Sequence, residues 1–138
     1  MYSDPVPGDL EALLHDRIET YEQLEILRLL HRNRVDTWTA ERIAQQLNLT
    51  PTLVSSALAG LCANAFVKAR SVLHDGAMAY ALAPPPRGET LARLVEVYEE
   101  QPIEIIKLMS TNAIERVRTA ALRAFADAFV LHKGKDNG

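Results

Sequence analysis

The chain has 138 residues, of which 48% are apolar and 24% are charged, and its formal net charge is −3. This composition is typical of a globular protein with one core, and it excludes a strongly basic domain that binds nucleic acid through bulk charge. No apolar run reaches the roughly 18 residues that a membrane span needs. The single cysteine, Cys62, excludes an internal disulfide and favours a reducing cytoplasm.

The N-terminal third predicts two helices after a short tail. The opening MYSDPVPGD has neither the basic start nor the apolar stretch of a signal peptide, so we expect residues 1–8 to be flexible. An apolar stripe from Leu10 to near Ile18 predicts the first helix. Thr20 and Gln23 have the spacing of a capping box, which predicts a second helix from TYEQ onward.

Two short helices joined by a tight turn are predicted next, after Trp38, which we expect to point back to the core. Thr39 is a natural N-cap for the first of them, and Thr50 for the second, with Pro51 at the first helical position. Asn48, in the turn, is a residue type that tolerates positive φ. Apolar or small residues occupy the positions where two crossing helices contact each other: Ile43, Ala44, Leu47, Leu49, Val54 and Ala57. This spacing predicts a helix-turn-helix.

A β-hairpin is predicted after Leu61. Two short alternating runs, FVKARSVL and MAYALA, flank HDGA, and Asp-Gly is a strong hairpin signal because it accepts positive φ. Three prolines at 84–86 end the hairpin and mark a boundary. The helix-turn-helix followed by a hairpin predicts a winged-helix domain over residues 9–83.

The remaining residues predict a C-terminal helical extension over residues 87–132. One helix is expected from about Glu89 to Glu100, ended or kinked by Pro102. IEIIKLM is predicted as a short helix, although its isoleucines also suit a strand. Asn112 is predicted to open a separate long amphipathic helix, and residues 133–138 a frayed end. The fold class is thus mainly α with a small β-hairpin.

At this point the chain resembles the bacterial winged-helix regulators, through WTAERIAQQLNLTPTLVSSALAGLCANAFVKA and roughly residues 20–83. Its whole length is also similar to a group of small bacterial winged-helix proteins that carry versions of YEQLEILRLLHRNRVDTWTAERIAQQL and of LRAFADAFVLHK. The resemblance implies binding of double-stranded operator DNA as a dimer, commonly through added terminal helices. DNA-binding relatives usually carry a basic residue where this chain has Ser56, and often another in place of Gly60.

The second helix of the helix-turn-helix would therefore approach DNA without basic side chains. Its candidate DNA-binding residues are Thr50, Thr52, Leu53, Ser55 and Ser56. Hydroxyl groups can bond phosphates or base edges, and Leu53 or Ala59 can contact a thymine methyl group, but none gives a bidentate base contact. We expect modest sequence specificity from this helix.

The candidate phosphate contacts are Arg42 on the preceding helix and Lys68, Arg70 and His74 on the hairpin. Lys68 and Arg70 are two apart on a strand and share a face, which suits a wing on the DNA backbone. The alternative is a solvated strand edge whose charges discourage aggregation. Arg28, Arg32 and Arg34, near the end of the second helix, are further candidates to meet phosphate, although Arg32 and Arg34 are interpreted as complementing the negative end of that helix.

The C-terminal helix carries a stripe too apolar to face water. The candidate dimer interface consists of Ile114, Val117, Leu122, Phe125 and Phe129. Packing of this stripe back on the domain is the alternative. A homodimer is favoured, because it would place two reading helices one DNA turn apart. Arg116, Arg118 and Arg123 are expected on the solvated side.

Catalytic and metal-binding patterns are lacking. His15, His31, His74 and His132 are scattered with no second ligand at helical spacing, and Cys62 is expected to be a small buried residue. The sequence therefore predicts no enzyme activity, no metal site and no cofactor. The first functional hypothesis is a cytoplasmic, dimeric, DNA-binding transcriptional regulator. The second is a winged-helix module that binds a protein partner in bacterial signalling, such as a sensor or a sigma-factor-related protein.

Overall fold

A computed structural model of the chain describes residues 6–71 and 76–136, the last six of them by their backbone alone. Within these ranges the helices are α1 (Gly8–Asp16), α2 (Tyr21–Arg32), α3 (Ala40–Leu47), α4 (Pro51–Ala63), α5 (Arg87–Glu100) and α6 (Pro102–Asp136). The strands are β1 (Trp38–Thr39), β2 (Val67–Ser71) and β3 (Met78–Leu82). The predicted fold class, mainly helical with a small β element, is confirmed. Among the described helices, none is long and apolar enough to cross a membrane.

The predicted capping box begins α2. The hydroxyl of Thr20 accepts a hydrogen bond from the backbone N–H of Gln23 at 3.2 Å. In return, the side-chain oxygen of Gln23 accepts from the N–H groups of Thr20 at 3.2 Å and Glu19 at 2.8 Å. Three backbone donors at the helix start therefore have partners, which fixes the start of α2.

The helix-turn-helix is confirmed over α3 and α4. The hydroxyl of Thr39 caps α3 by accepting from the N–H of Arg42 at 3.2 Å, and that of Thr50 caps α4 by accepting from the N–H of Leu53 at 3.3 Å. Asn48 ends α3 in the left-handed region, with φ of 55° and ψ of 45°. Ile43 and Val54 are fully buried, so the two helices cross where the apolar spacing predicted.

Three antiparallel strands form the sheet, in the order β1-β3-β2. Trp38 on β1 pairs with Tyr80 on β3, and its indole N–H donates to the carbonyl of Asn33 at 3.0 Å. Trp38 is buried, as predicted. Gly76 follows the hairpin tip with a φ of 81°, whereas Asp75 lies outside the described residues. The sheet thus closes one side of the helical core.

The core is continuous from α1 to α6 and has α2 near its centre. Helix α2 contacts α4 on one side and α5 on another. The fully buried side chains include Leu10, Leu14, Ile18, Leu24, Ile26, Leu27, Ile43, Val54, Leu61, Leu91, Leu94 and Ile105. The core therefore extends past the prolines at 84–86, and the division into two domains at that point stays a prediction.

Three predicted boundaries shift in the structure. Helix α1 begins at Gly8 and Val6 packs against the core, so residues 6–8 do not belong to a flexible tail. Helix α5 begins at Arg87, two residues before the predicted start. The helical backbone continues through residues 133–136, where a frayed end was predicted.

The largest correction concerns α6, which is one helix of 35 residues. The prediction that Asn112 opens a separate helix was wrong. Asn112 is only 8% exposed and lies on the same face of α6 as the buried Ile105 and Met109. Its polar side chain resembles an N-cap in the sequence, but packing of this face against the rest of the protein keeps it inside a continuous helix.

Candidate nucleic-acid interface and dimer surface

Helix α4 has one buried and one outward face. Val54, Ala57, Leu58 and Leu61 enter the core, whereas Thr52, Leu53, Ser55, Ser56 and Ala59 are exposed. Helical spacing places Thr52, Ser56 and Ala59 along the middle of the outward face, with Leu53 and Ser55 on opposite flanks. Leu53 is 44% exposed. The outward face therefore offers hydroxyl and methyl groups and no charge.

Gly60 does not belong to this outward face. A Cβ atom placed on it would lie 2.5 Å from Nε2 of Gln23, so α2 and α4 approach each other closely there. A longer side chain at position 60 would have to displace Gln23 from this contact. The close packing of α4 against Gln23 therefore explains why position 60 is a glycine and not a basic residue, which the sequence did not reveal. The hydroxyl of Thr50, another predicted DNA contact, is already engaged in capping α4.

A groove of about 570 Å³ lies beside Ser55, between α3 and α4. Glu41 is the one charged residue that lines it, while Gln45 and Asn48 contribute amide groups. Leu49 and Pro51 supply part of its apolar wall. Amide side chains capable of bonding a base edge therefore lie next to α4 and not on it.

Lys68 and Arg70 lie at alternate positions on β2, opposite Ala81 and Ala79 of β3. Both side chains are exposed and line a groove of about 250 Å³. Within the parts of the chain that the structure describes, neither forms an ion pair with a carboxylate. The two charges are free to meet an anion, as the wing interpretation requires, and Asp36 is the acid that shares the groove.

Arg42 belongs to the same neighbourhood although it comes from α3. Its guanidinium group donates to the carbonyl of Thr37 and lies 4.6 Å from the ring centroid of Trp38. Thr37 and Trp38 line the groove that holds Lys68 and Arg70. Arg42 thus contacts two residues of this groove from the β1 side, whereas Lys68 and Arg70 lie on β2, with β3 between the two strands. His74, the fourth predicted phosphate contact, lies outside the described residues.

The arginines of α2 have partners within the chain. Arg32 forms a two-point contact with the carboxylate of Glu99 on α5, at 2.6 and 2.8 Å, and Arg28 lies 3.9 Å from the same carboxylate. Arg34 contacts His31 at 2.9 Å. Burial, followed by the charges of Arg34 and Arg32, lowers the pKa of His31. Arg28 and Arg32 therefore join α2 to α5 in addition to any effect on the helix dipole.

The predicted dimer residues lie on an uncovered part of α6. From residue 113 to residue 130 every side chain is exposed except that of Arg116, which is half-buried. Val117 is 71% exposed and Phe125 is 73% exposed, and Ile114, Leu122 and Phe129 are similarly uncovered. The alternative, in which this stripe packs back on its own domain, does not occur in the described residues.

Two faces of α6 have different roles. Ile105, Met109 and Asn112 face the protein's own core. The opposite side begins with the exposed Ile103 and Ile106, and helical spacing continues it through the uncovered stripe to Phe129. One apolar surface, which we call the outer face of α6, therefore runs along most of the helix without an intramolecular partner.

A polar contact holds α6 against the end of α1. Nη1 and Nη2 of Arg116 donate to the carbonyl oxygens of His15 and Glu19 at 3.5 and 3.3 Å. Arg116 was predicted on the solvated side of the helix, but these contacts place it against the rest of the protein. Nε2 of His15 lies 3.6 Å from Glu115. A hydrogen bond with Asp16, at 2.7 Å, is the main cause that raises the pKa of His15, and Glu115 adds to it.

The remaining reactive groups do not form a site. Cys62 is partly buried against the core, and this burial raises the pKa of its thiol, in keeping with the packing role predicted for it. Within residues 6–71 and 76–136, no three His, Cys, Asp or Glu side chains are grouped to hold a metal ion.

Known structures share this arrangement. ZitR from Lactococcus lactis, in a point-mutant form, is 21% identical, with a TM-score of 0.51 over 80% of this chain and 75% of that one. MepR, a transcription regulator of the Staphylococcus aureus multidrug efflux pump MepA, is 17% identical, with a TM-score of 0.52 over 87% and 90%. The transcriptional repressor BigR from Xylella fastidiosa is 16% identical, with a TM-score of 0.54 over 68% and 88%.

These likenesses define the class of fold. The chain has the winged-helix fold of bacterial transcriptional regulators, in which α3 and α4 form the helix-turn-helix and β2 and β3 form the wing. At these identities the likeness establishes the fold and leaves the function to be argued from the residues. No protein-family model matches the chain, and no curated protein sequence matches it.

Proposed function

We propose that the protein is a cytoplasmic transcriptional regulator that binds double-stranded DNA as a homodimer and catalyses no reaction. The observation that carries the proposal is the exposed pair Lys68 and Arg70 in the groove of the sheet, with Arg42 against Trp38 of the same groove, in a protein whose α4 presents an uncharged outward face. Two of the similar structures, MepR and BigR, are described as a transcription regulator and a transcriptional repressor.

Each element has a separate role in this proposal. Lys68 and Arg70 contact backbone phosphates, and Arg42, stacked over Trp38, adds a third positive charge on the β1 side of the sheet. Thr52, Ser55 and Ser56 approach the bases, with Leu53 on the flank of the same helix. Because the net charge is −3, this local cluster and not the whole surface must attract DNA.

The outer face of α6 supplies the dimer contact. Its large apolar side chains face solvent in the single chain, and such contiguous apolar surfaces mark protein interfaces. A second copy offers the same surface, so a two-fold axis would bury both faces against each other. A two-fold dimer can also place its two α4 helices about 34 Å apart, the length of one DNA turn.

The test is binding of the full chain to a random-sequence duplex across a salt series. We expect measurable binding at low salt that weakens steeply as salt rises, because each neutralised phosphate releases condensed counterions. The double variant Lys68→Ala with Arg70→Ala should reduce the slope of log affinity against log salt by about 0.9 for each phosphate that is no longer neutralised. Arg93→Ala with Arg123→Ala removes the same charge away from the sheet and should leave the slope nearly unchanged.

The results distinguish three situations. An unchanged slope in the Lys68/Arg70 variant would contradict the wing contact. A reduced slope in the control variant as well would indicate a general charge effect. Absence of binding to any duplex at low salt would overturn the proposal and favour the second candidate function, a protein-binding module. That candidate draws its support from the uncharged α4 face and the neighbouring groove with Leu49 and Pro51.

A further inference from the structure

The outward face of α4 lacks the side chains that identify bases by paired hydrogen bonds. Guanine is commonly bound by Arg or Lys and adenine by Asn or Gln, each through two hydrogen bonds in the major groove. None of these types occurs among the exposed residues of α4. Amide groups on Gln45 and Asn48 share the groove on the Ser55 flank. Hydrogen bonding from α4 is therefore limited to hydroxyl groups.

Methyl groups dominate the same face. Ala59 and the γ-methyl of Thr52 lie along its middle on either side of Ser56. Leu53, on the flank away from Ser55, is a large apolar side chain that is 44% exposed. Gly60 lies two helical turns further along this flank, where α4 approaches Gln23 of α2 closely. Three methyl-bearing side chains thus lie among the hydroxyl groups of Thr52, Ser55 and Ser56 on the exposed side of α4.

The major groove contains one apolar feature that matches such a surface. Thymine carries a methyl group at C5, whereas unmodified cytosine has a hydrogen atom at that position. Contact between two methyl-bearing surfaces removes apolar area from water, which is favourable and needs no hydrogen-bond partner. Neither a purine edge nor unmodified cytosine offers this group.

We infer that α4 recognises the C5-methyl group of pyrimidines, through Leu53 and Ala59 together with Thr52, and that the protein therefore prefers thymine-rich duplexes. This inference rests on the proposed function, because it assumes that α4 enters the major groove. It adds a specificity that hydroxyl contacts alone do not give. Leu53 is the main specificity-determining residue, since it has the largest exposed apolar side chain on the helix.

The test compares duplexes of identical sequence that differ only in this methyl group. The full chain is titrated, at one low salt concentration, with a thymine-rich duplex and with the same duplex carrying uracil in place of thymine. A second pair has cytosine or 5-methylcytosine in a cytosine-rich duplex. We expect tighter binding to thymine and to 5-methylcytosine, by about fourfold for each methyl group contacted.

Leu53→Ser is the test variant, and Val35→Ser is its control because Val35 is 98% exposed in the turn after α2. The preference should fall in Leu53→Ser and persist in Val35→Ser. Equal affinity of the unmodified protein for both members of each pair would overturn the inference while leaving the proposed function intact. Binding to no duplex would overturn both. An undiminished preference in Leu53→Ser would remove Leu53 from the assigned role.

Discussion

The body of the protein, formed by α1 to α5 and the sheet, and the distal half of α6 contain similar apolar residues, but these residues are buried in the body and exposed in distal α6. In the body, Leu24, Leu61 and Leu91 are fully buried by helices of the same chain. In distal α6, Phe125 is 73% exposed. The body therefore obtains its stability within one molecule, whereas distal α6 has no cover among the described residues and would need a second molecule, as proposed above, to bury its apolar side chains.

The largest expected effect comes from removing the exposed aromatic side chains of distal α6, which we propose to form the dimer contact. Phe125→Ser with Phe129→Ser removes four aromatic rings from a homodimer, and each buried ring contributes about 1.5–3 kcal/mol. We expect the dimer dissociation constant to rise by about ten-thousandfold or more, measured by sedimentation equilibrium. The folded body should remain, as judged by far-UV circular dichroism.

Val35→Ser provides the control for that variant, because it removes an exposed apolar residue outside α6. It should leave the molecular mass measured by sedimentation equilibrium at that of the dimer. A double variant that still sediments as a dimer would contradict the assignment of the outer face of α6. If the protein without substitutions sediments as a monomer at micromolar concentration, the homodimer itself is wrong.

The next effect concerns the body. Ile43 is fully buried at the crossing of α3 and α4, so Ile43→Ala removes three methyl or methylene groups and leaves a cavity. We expect the free energy of unfolding to fall by about 2–5 kcal/mol, measured by urea denaturation. A change in the free energy of unfolding of about 0.5 kcal/mol or less, as is usual for substitutions at exposed sites, would contradict the burial of Ile43 at the crossing of α3 and α4.

Two glycines at close contacts within the body sharpen the comparison. A Cβ atom on Gly88, at the start of α5, would collide with the backbone carbonyl oxygen of Ala83, which cannot move without shifting the chain. Gly88→Ala should lower the free energy of unfolding by about 1–3 kcal/mol.

Gly60→Ala is the matched variant, measured in the same urea titration. There the new atom meets only the amide end of the Gln23 side chain, which can shift at the cost of weakening its capping hydrogen bonds. Its cost should be clearly smaller than that of Gly88→Ala, because a side chain can rotate away and a backbone carbonyl cannot. Equal costs would contradict the close approach at Gly88.

The smallest expected effect is a change in the pKa of His15. The pKa of His15 is raised above 6.5 by Asp16 first and Glu115 second. A raised pKa in the folded state means that protonated His15 stabilises the fold, mainly through Asp16 within α1 and less through Glu115 on α6. This contribution is fully present below pH 6.5 and disappears as the pH rises through the raised pKa.

Ring-proton NMR titration measures this effect. Asp16→Asn should lower the pKa of His15 more than Glu115→Gln does, whereas the pKa of His31, which burial lowers, should stay the same in both variants. A His15 titration that does not respond to Asp16→Asn would contradict the hydrogen bond between them.

The sequence predicted most of what depends on residues four or fewer apart. The capping box at Thr20, the N-caps Thr39 and Thr50 and the left-handed Asn48 are each set by local hydrogen bonding or sterics. These residues placed the helix-turn-helix correctly, and hence the outward face of α4.

The features that the sequence did not reveal depend on contacts between distant segments. Glu99 on α5 binds Arg28 and Arg32 on α2, and Gln23 determines how much room exists at Gly60. The continuity of α6 through Asn112 likewise depends on packing, since the same residue type begins helices elsewhere. Residues 84–86 predicted a boundary because prolines interrupt local structure, but the core crosses them.

The length of α6 has a mechanical consequence. Residues 113–136 extend about 36 Å at 1.5 Å per residue, and Arg116 and His15 hold their base against α1. A tilt of about 10° at that base would move the far end by about 6 Å, as for any straight rod of this length. In a dimer joined through α6, a small disturbance near His15 would thus change the distance between the two α4 helices, and with it the fit to one turn of DNA.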